Sequence, residues 1–125
     1  MAIKPKQEAP GYKTLCWEGD SKKMFLSFPQ EVIHNAGYQL SKIQRGLDPD
    51  HADPMNRVGS GVIELIVNDK SGWFRIFYVT KLGNAVYVLH AFQKKTNKTS
   101  QGDIDKGISR YDDLVRRLKA DKVIK

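Results

Sequence analysis

The amino-acid sequence predicts an α+β fold: a small antiparallel β-sheet with a helical hairpin on its N-terminal side and one helix at the C-terminus. Three observations carry this expectation. Residues 61–68, 73–80 and 85–92 (GVIELIVN, WFRIFYVT and AVYVLHAF) are dense in β-branched and aromatic residues, and DKSG and KLGN join them. Short Gly-bearing connections between such runs favour consecutive antiparallel hairpins. Ahead of them Val32, Ile33, Ala36, Leu40 and Ile43 recur at helical spacing, and behind them Ile104, Ile108, Tyr111, Val115 and Leu118 step by 4, 3, 4 and 3.

Along the chain, residues 1–11 hold two prolines, scattered charges and little periodicity, so they are expected to form a flexible lead-in. A single domain is expected over 12–120, with a short tail at 121–125; the full length of 125 residues suits one core. Tyr12–Trp17 is rich in strand formers, and Glu18-Gly19-Asp20 ends that strand. Ser21 is placed to cap a helical stretch through Lys22–Ser27, and Pro29 suits the first turn of a second, where a missing N–H costs nothing. Gly46 is the expected stop of that second helix. LDPDHADPMNRVGSG, with two Asp-Pro steps and two glycines, reads as a loop. Ser100 followed by Asp103 resembles a capping box at the start of the last helix, and Lys106, Arg110, Asp113 and Arg117 fall opposite its apolar stripe.

The charge is uneven. Lys and Arg number 21 against 14 Asp and Glu, a formal net charge of +7. Through His90 there are 11 basic and 9 acidic residues; beyond it there are 10 and 5, so the last 35 residues carry +5. Lys94, Lys95 and Lys98 lie within five residues with no acid among them. Such a surplus calls for an anionic partner, a nucleic acid or an acidic protein.

Several chemistries are excluded by what the chain lacks. His34, His51 and His90 have no Cys or His at ligand spacing, so neither a metal nor another cofactor is expected. No Gly-rich phosphate loop, HExxH motif or nucleophile elbow is present. Cys16 is the only cysteine, which excludes an intrachain disulfide and fits a reducing compartment. No apolar run reaches the roughly 18–20 residues of a membrane span and the first residues lack a signal-peptide core, so a cytoplasmic protein with no membrane partner is expected.

What remains is a basic constellation. If the second and third strong strands pair through KLGN, Arg75 lies at the end away from that turn. The run through His90 and Phe92 into Lys94 and Lys95 returns to the same end, with Lys98 just beyond. Such a cluster can hold a phosphate and stabilise charge developing on it. Cleavage of a phosphodiester would then use the RNA 2′-OH as nucleophile, without a metal, with a lysine or His90 moving the proton. Plainer roles stay open: Arg75 pairing with Glu64, His90 satisfied within the sheet, and Trp73, Tyr78 and Tyr87 either packing in the core or stacking on bases.

The order of motifs from about Tyr12 to Leu118 resembles the HigB-like, phage-derived branch of the RelE/ParE toxin superfamily. GSGVIEL, then WFRIFYV, then VYVLHAFQKKTNKT, then a helix bearing I-x-x-x-I-x-R carry the likeness. The resemblance implies a RelE-like fold and the toxin of a type II toxin–antitoxin pair. Such a toxin is usually an endoribonuclease that cuts mRNA at the ribosome, held by a helix-turn-helix antitoxin in a hetero-oligomer. It implies scissile-phosphate binding by Arg75 in WFRIFY, catalytic help from Lys95, and further phosphate contacts from Lys94 and Lys98. Where many relatives carry another basic residue after the Glu-Leu pair this chain has Ile66, leaving that contact to Arg57 or Lys70. Two alternatives stand beside this one: a non-enzymatic toxin of the same fold acting on a target such as DNA gyrase, and an inactive nucleic-acid-binding relative.

Overall fold

Residues 11–125 are described in the structure, a computed structural model; most of the expected lead-in at 1–11 lies outside them. In chain order the elements are β1 (Thr14–Trp17), α1 (Ser21–Leu26), α2 (Gln30–Gln44), β2 (Ala52–Pro54), β3 (Ile63–Asp69), β4 (Gly72–Val79), β5 (Ala85–Lys94) and α3 (Gln101–Ala120). The strands form one sheet in the order β1-β5-β4-β3-β2.

The three strong runs pair as antiparallel neighbours, Ile66 with Arg75 and Arg75 with Phe92 among them. Two departures from the expected sheet sit at its edges. β1 runs parallel to β5, from Thr14 opposite Ala85 to Trp17 opposite Val88, so the sheet is mixed. A parallel pair needs a long crossover, which α1, α2 and the following strands supply. The expected loop contains β2, which pairs Asp53 with Glu64 and Pro54 with Ile63. Pro54 is accommodated because an edge strand leaves one side without ladder bonds.

Both faces of the sheet are covered. Phe25, Val32, Ala36, Leu40 and Ile43 pack on Leu65, Val67, Phe74, Ile76, Val86 and Val88. On the opposite face Ile104, Leu114 and Leu118 pack on Phe77, Val79, Tyr87, Leu89 and Phe92. The alternation along β4 therefore divides Phe74 and Ile76 from Phe77 and Val79, as strand periodicity requires.

The hairpin of helices expected before the sheet is not confirmed: α1 has six residues and rests on β5, while α2 has fifteen and crosses β3 and β5. Ser21 is not a cap. It is the first residue of α1, fully buried, and its Oγ donates to the Val88 carbonyl at 3.1 Å, tying the helix to the sheet. Pro29 stands at the N-cap of α2 with φ −56° and ψ 149°. Beyond Gln44, Gly46 adopts φ +80°, the left-handed turn expected of it.

α3 starts as predicted, with the Ser100 Oγ accepting from the Asp103 N–H at 3.1 Å. Its buried line runs through Ile104, Gly107, Leu114 and Leu118, rotated from the expected stripe. Of the two arginines expected on the far side, Arg110 turns inward, while Arg117 stays exposed and reaches across to Glu18. Arg110 donates to the Leu89 carbonyl (3.1 Å) and pairs with Asp20 (2.6 Å), and Arg117 pairs with Glu18 (2.8 Å). Among the described residues no helix is long and apolar enough to cross a membrane.

Candidate functional site

A bulge on β5 decides which residues meet. Phe77 is opposite His90 but Tyr78 is opposite Val88, leaving Leu89 as the extra residue. Strict alternation would set His90 and Phe92 on the face of Val88. The bulge moves both to the α3 face, where Arg75 and Phe77 also lie.

Three cross-strand rows result, running β3, β4, β5. Asn68, Trp73 and Lys94 form the outer row; Ile66, Arg75 and Phe92 the middle one; Glu64, Phe77 and His90 the inner one. Exposure falls from Trp73 (38%) through Arg75 (8%) to His90 (2%), so the face is a shelf, open at the strand ends and dry toward its centre. β2 extends the inner row with Asp53. The exposed His51 flanks the middle row, its carbonyl accepting from the Ile66 N–H at 3.0 Å.

Arg75 is held on several sides. Its Nη1 donates to Asn68 Oδ1 (2.7 Å) and to the Phe74 carbonyl (2.9 Å), and its Nε lies 3.9 Å from Glu64 Oε2. That Nε is buried and has no hydrogen-bond partner among the described residues. Burial lowers the guanidinium pKa, against the pull of Glu64 and Asp53, which favour its charge. Glu64 is itself buried and accepts a 2.9 Å bond from Thr99 Oγ1. The chain between β5 and α3 is thereby tied back to β3, across the strand that carries Arg75.

Lys94, Lys95 and Lys98 are distributed along this connection. Lys94 sits beside Trp73, and its Nζ donates to the Asn97 carbonyl at 2.7 Å. Lys95 and Lys98 are exposed. Arg75 and Lys94 thus share one face by register, and the other two lysines follow directly on the chain.

Two expected members do not join them. His90 is buried, stacked on Phe92 with ring centroids 4.8 Å apart, and its Nε2 meets Asp103 Oδ1 at 2.7 Å. Burial holds its pKa below the ordinary value, although the Asp103 carboxylate pulls the other way. A neutral ring donating from Nε2 ties β5 to α3 and leaves Nδ1 buried without a partner among the described residues. His90 therefore positions α3 rather than facing the open shelf. Arg57 lies in the turn after β2, beyond the Pro54–Ile63 pair. That pair is three steps, about 10 Å, along β3 from the Arg75 row, because antiparallel β2 carries the chain away from it. Lys70, in the β3–β4 turn, is at the same end as Trp73 and Lys94.

Sequence reasoning did not find His51, Asn68 or Thr99, and it gave Glu64 only as a possible partner of Arg75. Their roles depend on register and on the path of the 95–100 connection, which leave no motif. Cys16 is half-buried at the edge of the α3-side core, and burial pushes its thiol pKa up. Among the described residues no three His, Cys, Asp or Glu side chains gather as a metal site.

The geometry defines a small α+β protein in which Arg75, Lys94 and the Lys95–Lys98 connection meet at one end of one sheet face. The chain belongs to the family of phage-derived Gp49-like proteins (DUF891), whose model matches residues 23–112, a stretch that contains every strand but β1 and all three rows of the shelf. This family is associated with RelE-like and toxin-like proteins. A search of curated proteins found none that matches.

Proposed function

We propose that this protein is the toxin of a type II toxin–antitoxin pair, of the HigB-like kind, and that it cuts mRNA at the ribosome without a metal. The observation that carries this reading is the convergence of Arg75, Lys94 and the Lys95–Lys98 connection at one end of the sheet, in a chain of the Gp49-like family. In this reading Arg75, whose Nη2 makes no hydrogen bond among the described residues, offers that group to a phosphate oxygen, and Lys95 neutralises charge on the phosphorane as the 2′-OH attacks. Lys94 and Lys98 hold neighbouring phosphates. The 2′-oxygen bonds to phosphorus as the bond to the 5′-oxygen breaks; an exposed group takes the 2′-OH proton, and the departing 5′-oxygen is protonated from solvent. His51, the exposed imidazole beside the middle row, is better placed than buried His90. A helix-turn-helix antitoxin covers the basic end, and the toxin works in the cytoplasm.

One observation favours a second reading, an RNA-binding relative without cleavage or a toxin with a protein target. Arg75 is already engaged by Asn68, Phe74 and Glu64, and its flanking position on β3 is the apolar Ile66. Induced expression followed by primer extension on a translated message separates the two. The ribonuclease reading expects growth arrest and new 5′ ends that fall about 100-fold or more in Arg75→Ala and Lys95→Ala, the scale of losing one transition-state donor. Growth arrest with intact message would assign the protein to the second reading.

A further inference from the structure

We propose that Trp73 is a stacking platform for one nucleobase of a single-stranded RNA, the base adjoining the phosphate at Arg75. The inference rests on the RNA reading above and adds to it a residue that recognises a base rather than the backbone. Trp73 is 38% exposed, while every other residue of β4 from Phe74 to Val79 is buried. Its ring takes part in none of the aromatic or cation–π pairs formed among the described residues, so no such partner would have to be displaced by a base. It stands two residues from Arg75 on the same sheet face, about 6.7 Å along the strand, which is the scale of the step from a phosphate to its own base.

Its neighbours fit the same ligand. Across the strands Trp73 lies between Asn68 and Lys94, an amide on one side and a cation on the other. Asn68 Oδ1 is occupied by Arg75, which leaves its amide N–H groups to meet a base edge. Lys70, Lys95 and Lys98 surround this end with positive charge, which favours a polyanion over an apolar protein segment as the occupant. An aromatic face beside a cationic groove is how sequence-tolerant single-strand binding is built.

The test is equilibrium binding of a short single-stranded RNA, read by tryptophan emission in a Trp17→Phe background. The chain has two tryptophans, and Trp17 is packed against Phe25, so that substitution leaves Trp73 as sole reporter. RNA is expected to quench the emission. Trp73→Ala, followed by anisotropy of labelled RNA, is expected to weaken binding about 5- to 100-fold, with Trp73→Phe retaining most of it. An oligonucleotide carrying one abasic position should show no difference between Trp73 and Trp73→Ala when the missing base is the stacked one. Unquenched emission, with Trp73→Ala within twofold of the parent while Arg75→Ala weakens binding, overturns the platform and leaves the RNA reading intact. Absence of binding, or binding that neither variant changes, overturns the RNA reading and the platform with it.

Discussion

At the scale of single residues, the site is governed by groups that answer one another. Arg75 is buried with the Glu64 carboxylate 3.9 Å from its Nε, which favours its charge against the burial, and Glu64 in turn accepts from the Thr99 hydroxyl. Removing one partner of a buried pair is costly because the other is left uncompensated. His90 has a different logic, since burial favours its neutral ring while Asp103 favours charge and Lys106 and Arg110 oppose it. Its pKa in the folded chain lies below the 6.5 of a free imidazole, so the unfolded chain takes up a proton first as pH falls. The stability due to His90 is therefore complete above 6.5 and is lost as pH falls toward the folded value. His90→Gln retains an amide able to donate to Asp103 but cannot titrate. Thermal melts at about pH 7.5 and 5.5 are expected to show a larger fall for wild type than for His90→Gln; equal falls would remove this assignment.

At the scale of elements, α3 is the piece that closes the shelf. It is seated through Gly107, where an added Cβ would come within 2.9 Å of Phe77 and 3.0 Å of Val58. Gly→Ala inside a helix ordinarily stabilises by up to about 1 kcal/mol, whereas overpacking a tight contact costs about 1–3 kcal/mol. Phe77 and Val58 are both buried core side chains, so the contact term wins and Gly107→Ala is expected to lower the urea midpoint. A raised midpoint would show that α3 can lift away without loss. The elements divide by how much of them sequence makes legible. β3, β4, β5, α2 and the capped start of α3 are readable because their signals are local: alternation, helical period, and Ser100 with Asp103. β2 is not, since Ala52-Asp53-Pro54 carries no alternation and becomes a strand only because Ile63–Leu65 lies beside it. Arg75 and the lysines are readable as one cluster for the same reason that the hairpins are. The plainer reading of His90 as a satisfied sheet histidine is legible too, but the face it occupies is not, because one extra residue at Leu89 reverses what alternation assigns.

At the scale of the whole molecule, the net +7 includes a basic rim at one end of the sheet, whereas Arg110 is engaged by Asp20 and Arg117 by Glu18. The rim is the group that lies beside Arg75 and that the RNA reading uses. If Arg75, Lys94, Lys95 and Lys98 each neutralise one phosphate, the slope of log K against log salt for single-stranded RNA is expected near about −2.8, with Lys95→Ala or Lys98→Ala each bringing it about 0.7 closer to zero. A flat salt dependence would show that the rim does not touch the backbone. The parallel pairing of β1 with β5 has a further consequence, in time rather than in space. Residues 14–17 find their partners only at 85–88, and Glu18 finds Arg117 later still, 99 positions on. During synthesis the first strand must wait, unpaired, until most of the chain has left the ribosome. Such distant pairings slow folding. A protein whose proposed target is the translating ribosome thus completes its own sheet only after residues 85–88 have been translated.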